Sequence, residues 1–157
     1  MNPAFAPALA GDMPAREVIA LLGMQPHPEG GWYVETFRSA DGPDDSGRGW
    51  MTAIHFLLEA GDVSHWHRVD AVEGWFWQAG GPLVLSTSLD GVTASAVTLG
   101  PNLRAGQKLQ AIVPAGAWQA AESLGAWTLV SCTVAPGFRF EGFELAPADW
   151  FPGKPVR

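Results

Sequence analysis

The chain has 157 residues, a length for one domain, and its balance of 47% apolar to 16% charged residues is enough to close one core. Nine Lys and Arg stand against sixteen Asp and Glu, a net charge of -7, so the basic surface that nucleic acid or an anionic membrane demands is missing and neither is expected as a partner. One cysteine, Cys132, sits in an apolar run; it allows no intrachain disulfide and no cysteine-based zinc cage, and it reads as a buried, inert thiol.

In chain order, residues 1–12 are small and apolar, have no Lys or Arg ahead of them and are interrupted by Pro3 and Pro7; they are expected to be a flexible tail of a cytoplasmic protein. A single domain is expected over 13–150, with a short C-terminal tail over 151–157. Asp12, Pro14 and the apolar Val18, Ile19, Leu21 and Leu22 predict an N-capped amphipathic helix that stops at Gly23. Beyond it, runs rich in Val, Thr, Trp and Phe alternate with turn residues about every ten positions, which predicts an all-β sandwich or barrel. The strands are expected at Trp32–Arg38, Trp50–Leu58, Val63–His67, Glu73–Gln78, Leu83–Ser88, Thr93–Leu99, Lys108–Val113, Trp118–Ala121, Trp127–Val134 and Phe140–Leu145. Leu89-Asp90-Gly91-Val92 is a hairpin turn and Asp41 to Gly49 a polar loop or lid. An up-and-down barrel or a jelly roll would close the edges of such strands.

Chemistry gathers in the middle of the chain. His65 and His67 are two apart in an expected strand and so share a face; Glu73, Trp75 and Trp77 share a face of the next. Two imidazoles and a carboxylate are the donor set of a divalent Fe, Mn or Zn site, and equally a set of hydrogen-bonding pocket residues. Val113 to Gln119 is a Pro-Gly turn that delivers Trp118 and Gln119 to the following strand. Flat tryptophan walls beside few polar groups fit a small-molecule pocket. Tyr33 and Glu35 share a face with Phe37, so both are in the pocket or both are out; they are expected in. His55, opposite in phase to Ile54 and Phe56, belongs to the pocket or to the surface. The Pro28-Glu29-Gly30-Gly31 turn reads as architectural, its two glycines permitting unusual backbone angles.

The order Gly61, His65-x-His67, Glu73, Gly80, then Gly106, Pro114-x-Gly116-x-x-Gln119 resembles the paired motifs of the cupin superfamily. Longer phrases, from Pro26-His27-Pro28-Glu29-Gly30-Gly31-Trp32-Tyr33 through Cys132-Thr133-Val134-Ala135-Pro136-Gly137-Phe138, are similar to a cupin subgroup long catalogued as a domain of unknown function and related in fold to deoxysugar-nucleotide epimerases. The resemblance implies a double-stranded β-helix, or jelly-roll barrel, with one pocket per barrel and a homodimeric assembly. Departures accompany it: Gln119 stands where metal-binding cupins usually place a histidine, and His65 falls at a position the subgroup leaves variable.

The leading expectation is a small polar or aromatic metabolite stacked on Trp75, Trp77 or Trp118 and held by His67, Glu73 and Gln119. In an epimerase or isomerase, His67 would be the general base, Glu73 a proton-exchanging or orienting group and Tyr33 the acid; Arg38, Arg48, Arg68 and Lys108 are the cations that could meet phosphate. A metal-dependent oxygenase or isomerase using His65, His67 and Glu73 is the first alternative. A non-catalytic module whose barrel is packed solid by tryptophan is the second.

Overall fold

The computed structural model describes residues 12–155, so the expected N-terminal tail, Asp12 apart, lies outside the described residues, as do the last two residues of the C-terminal one. Helix α1, Ala15–Leu22, packs Ala15 and Val18 into a side cluster with Leu57, Trp127 and Leu129. Asp12 does not cap it. Pro14, extended at φ -68° and ψ 149°, holds the N-cap position without a side-chain bond, because proline suits a helix entrance where no N–H is needed. Gly23, at φ 64°, ends the helix as expected.

Eleven strands follow: β1 Gln25–Pro26, β2 Trp32–Arg38, β3 Thr52–Glu59, β4 Val63–Val69, β5 Val72–Gly80, β6 Leu83–Ser88, β7 Ser95–Leu99, β8 Gln110–Val113, β9 Trp118–Ser123, β10 Trp127–Ala135 and β11 Phe143–Leu145. They form two antiparallel sheets, one in the order β1-β2-β3-β10-β5-β8 and one in the order β11-β4-β9-β6-β7. The fold is a mostly-β jelly roll, the architecture that the resemblance implies. Between the sheets lie Phe56, Leu58, Trp75, Leu83, Leu85, Leu99, Val113 and Val130, each at most 1% exposed. Period-2 alternation made these strands readable. Leu83 and Leu85 of β6, for example, face the core while Val84 and Ser86 between them do not.

Strand ends differ from expectation where side chains take backbone partners. Asp90 Oδ1 accepts the N–H groups of Val92 and Thr93, which lengthens the hairpin loop and delays β7 to Ser95. Phe140–Gly142 forms a 3₁₀ turn, leaving only Phe143–Leu145 as strand. Three ladder irregularities matter more for the site. Register shifts fall between Glu35 and Phe37 in β2, between Ser64 and His67 in β4, and opposite Leu129/Val130 in β5. Each inserts a residue and reverses the inward phase beyond it.

Candidate functional site

At one end of the barrel a cavity of about 290 Å³ opens to solvent between the sheets, so the interior there is not packed solid. Its polar floor is built from three places in the chain. β5 supplies Glu73, β4 supplies His67, and the turn between β1 and β2 supplies His27 and Glu29. The turn can reach the barrel because Gly30 (φ 107°) and Gly31 (φ 76°) lie flush on neighbouring strands: a Cβ on Gly30 would sit 2.1 Å from Val63 O and one on Gly31 2.7 Å from Leu57 O. His65 N–H donates to Glu29 O at 2.8 Å, pinning the turn so that the Glu29 side chain points inward. The architectural role read in the glycines is what places the carboxylate.

The bulge in β4 decides the histidines. Ser64 pairs with Ala121 and His67 with Gln119, three residues against two, so Ser64 and His67 both face the interior. His65 falls in the bulge and turns away, its Nε2 donating to Pro147 O at 2.8 Å. The convergence of His65 with His67 and Glu73 therefore does not occur. Gln119 lies beneath the floor with both ends committed: Trp75 Nε1–H donates to Gln119 Oε1 at 2.8 Å, and Gln119 Nε2 donates to Glu73 Oε2 at 2.7 Å.

These hydrogen bonds set the proton positions. His67 Nδ1 meets His65 O at 2.7 Å, and a carbonyl can only accept, so Nδ1 carries the proton. Nε2 is then the basic nitrogen of the neutral ring, and it lies 3.1 Å from Glu29 Oε2. Glu29 Oε1 accepts from Ser64 Oγ at 2.9 Å. Burial raises the Glu29 pKa to about 7, against the opposing pull of His27 and Ser64. Burial likewise raises Glu73 to about 7, with His67 opposing and Glu29 adding to the rise. Burial lowers both His67 and His27. The floor thus favours uncharged forms, two carboxyls and two imidazoles poised to exchange protons near neutrality.

Of the residues selected from the sequence, His67, Glu73, Tyr33, Glu35, Arg38 and Trp75 line this cavity. Tyr33 packs edge-on to His27, with ring centroids 4.6 Å apart. Glu35 joins Tyr33 inside, but the β2 bulge turns Phe37 out to 50% exposure. Trp77 packs against the main core beyond the cavity, its Nε1–H on Gly81 O. Trp118 alternates with the inward Gln119 and lies outside, stacked on Trp150 and beneath the Arg68 guanidinium. His55 also lies outside the cavity, with Nδ1 3.0 Å from Ser131 Oγ. The Asp41–Gly49 loop does not line the cavity; Arg48 from it pairs with Asp70 and donates to Gly137 O, bracing the segment that does. That segment, residues 138–143, carries Phe138, Phe140 and Phe143 over the mouth. Sequence reasoning passed over these rings and over His27 and Glu29, although a carboxylate followed by two glycines was a visible signal.

The chain belongs to the cupin superfamily: the family model described as Cupin superfamily (DUF985) matches residues 16–146. It is similar to a hypothetical protein from Leishmania major (34% identity, TM-score 0.78, covering 85% of this chain and 88% of that one). It is similar also to a protein from Shewanella oneidensis (36% identity, TM-score 0.81, 85% of each chain). Oxalate decarboxylase from Bacillus subtilis shares the fold at 12% identity and TM-score 0.60, over 76% of this chain and 29% of that one. No curated protein matches. No helix among the described residues is long and apolar enough to cross a membrane.

The Mn(II) centres of that decarboxylase raise the question of a metal here. The donors do not fit. His65 is turned out, Gln119 has spent its carbonyl oxygen on Trp75, and among the described residues no three His, Cys, Asp or Glu side chains are grouped to hold an ion. Protein purified without chelators is expected to carry far less than one equivalent of Fe, Mn or Zn by mass spectrometry. Near-stoichiometric metal that disappears in His67→Ala would overturn this reading.

Proposed function

We propose that the barrel interior binds a compact metabolite and that Glu73 exchanges a proton with it. The observation that carries this reading is the floor geometry: Glu73 Oε2 is fixed by Gln119, while Oε1 has no hydrogen-bond partner among the described residues and the side chain lines the cavity. His67, expected from the sequence to be the base, has Nδ1 on a backbone carbonyl and Nε2 beside Glu29, so it acts from the wall. It shares a proton with Glu29 and adjusts the charge that Glu73 meets. Tyr33, whose hydroxyl accepts from Gln25 Nε2, stands nearer the mouth and orients the ligand.

The volume bounds the ligand. About 290 Å³ is at the lower edge of the ~300–1,000 Å³ usual for ligand pockets, and the walls are mostly rings. A sugar nucleotide would leave its phosphates at the rim and beyond, where Arg38, Arg48 and Arg68 are already paired with Glu35, Asp70 and Glu144 and Arg139 stands beside Glu141. Lys108 does not line the cavity. A compact ligand with an apolar body and one polar group is therefore favoured over a nucleotide sugar.

The test is a thermal-shift screen of small metabolites, followed by NMR detection of deuterium taken from solvent at a carbon of each hit. Glu73→Gln keeps an acceptor for Gln119 and is expected to slow exchange in the ligand-saturated protein ~10²–10⁴-fold, the usual contribution of a positioned acid or base. Binding without any exchange in the wild type would instead favour a carrier or sensor, and exchange unaffected by Glu73→Gln would sink the assigned role.

A further inference from the structure

We propose that the cavity takes a small organic cation, an aromatic or alkyl amine whose ammonium group sits between Glu73 and Glu29 while its body lies against Phe56, Trp75 and Phe143. The proposal rests on the ligand-binding reading above and specifies the charge of the ligand. It follows from which charges in the lining already have partners.

Four carboxyls line the cavity, Glu29, Glu35, Glu73 and Glu141, against two guanidiniums, Arg38 and Arg139. Arg38 and Glu35 satisfy each other through two bonds of 2.9 and 2.7 Å. Arg139 and Glu141 are exposed at the rim, one of each sign. The enclosed charge that remains is Glu29 and Glu73, 9% and 7% exposed. No standing positive charge opposes them, since burial holds His27 and His67 toward their neutral forms and Cys132 stays a thiol.

The rest of the enclosure is largely apolar, aromatic rings beside Ile54, Val69 and Val134. Phe56 and Trp75 meet edge to face at 5.9 Å, and Phe143 lies 5.5 Å from the His67 ring. An anionic ligand would hold both buried carboxyls in their protonated forms and be repelled as soon as either ionised near pH 7. An ammonium would gain both carboxylates and the negative faces of the rings. Its arrival favours the ionised form of Glu73, which otherwise holds its proton up to about pH 7. The groups facing Glu73 during this exchange are Glu29, His67, His27 and Cys132, with Gln119 as the neutral donor. Binding therefore expels a proton below pH 7 and tightens as pH rises.

Three probes of one shape separate the possibilities: benzylamine, benzyl alcohol and benzoate, titrated calorimetrically into the full chain at pH 6 and pH 8 in two buffers of different ionisation enthalpy. Benzylamine is expected to bind at least tenfold tighter than the alcohol, with benzoate weakest. Its affinity is expected to rise at least tenfold from pH 6 to pH 8, about tenfold being the amount set by Glu73 alone titrating at about 7 and Glu29 adding to it, with about one proton or more released at pH 6. Glu73→Gln should remove most of the preference for the amine and leave only the pH dependence that Glu29 supplies, whereas attraction to the acidic surface alone would survive that substitution unchanged. Benzoate binding as well as benzylamine, pH-independent benzylamine binding, or a preference retained in Glu73→Gln would each overturn the proposal. Occupancy by the alcohol or benzoate without the amine would leave the ligand-binding reading standing; no response to any probe, with no hit in the metabolite screen, would remove both.

Discussion

Glu73→Gln is expected to stabilise the protein by about 3 kcal/mol at pH 8 and to leave it nearly unchanged at pH 4. Burial raises the Glu73 pKa from 4.5 to about 7, and each tenfold change in proton affinity is worth about 1.4 kcal/mol. A folded-state pKa above the unfolded one contributes stability that is full below the unfolded value and is lost as pH rises through the folded value. Wild type should therefore weaken between pH 4.5 and about 7 on account of Glu73, and Glu29 adds a loss of the same sign. His67 and His27 act oppositely. Their folded pKa values lie below 6.5, so their contribution is lost as pH falls beneath that value. The two trends offset each other in the mildly acidic range, and stability should decline on either side. Urea unfolding at pH 4, 6 and 8 reads the effect directly. Equal stabilities of wild type and Glu73→Gln at pH 8 would mean that Glu73 is ionised at little cost, contrary to its burial.

Trp75→Ala should cost about 3–5 kcal/mol, the range for removing a large ring from a packed interior. Trp75 is 1% exposed and joins the main core cluster to the cavity wall. Its indole N–H also orients Gln119, and through it Glu73. Trp75→Phe separates the two roles. It keeps most of the apolar burial but leaves Gln119 Oε1 without a donor, a loss of about 1–3 kcal/mol. Freed from the indole, Gln119 could also turn its amide and withdraw the bond that fixes Glu73 Oε2, so proton exchange should fall in Trp75→Phe even where the protein remains folded. Equilibrium unfolding alongside the exchange assay distinguishes packing from positioning. A Trp75→Phe protein with wild-type stability and exchange would show that the relay has no consequence.

The class of fold and most of the strands are legible in the order of the amino acids alone. Alternation of core and surface residues is a local property, and Gly, Pro, Asn and Asp mark the turns independently of what packs against them. Trp32–Arg38 and Leu83–Ser88 could be bounded from the chain alone for this reason, and the cupin phrases added the topology. Alternation places Glu73 with Trp75 and Tyr33 with Glu35 on common faces without choosing the inward one; these four and His67 line the cavity.

Phase, depth and electrostatic state arise instead from packing between distant segments. One inserted residue in β4 parts His65 from His67, and one in β2 expels Phe37; the bulges are defined by the partner strands, which a period-2 pattern does not contain. Glu29 reaches the floor because two glycines let a turn lie against β3 and β4, a contact between segments more than twenty-five residues apart. The raised carboxyl pKa values likewise arise from burial beneath both sheets, since desolvation depends on everything that surrounds a group and not on its neighbours along the chain.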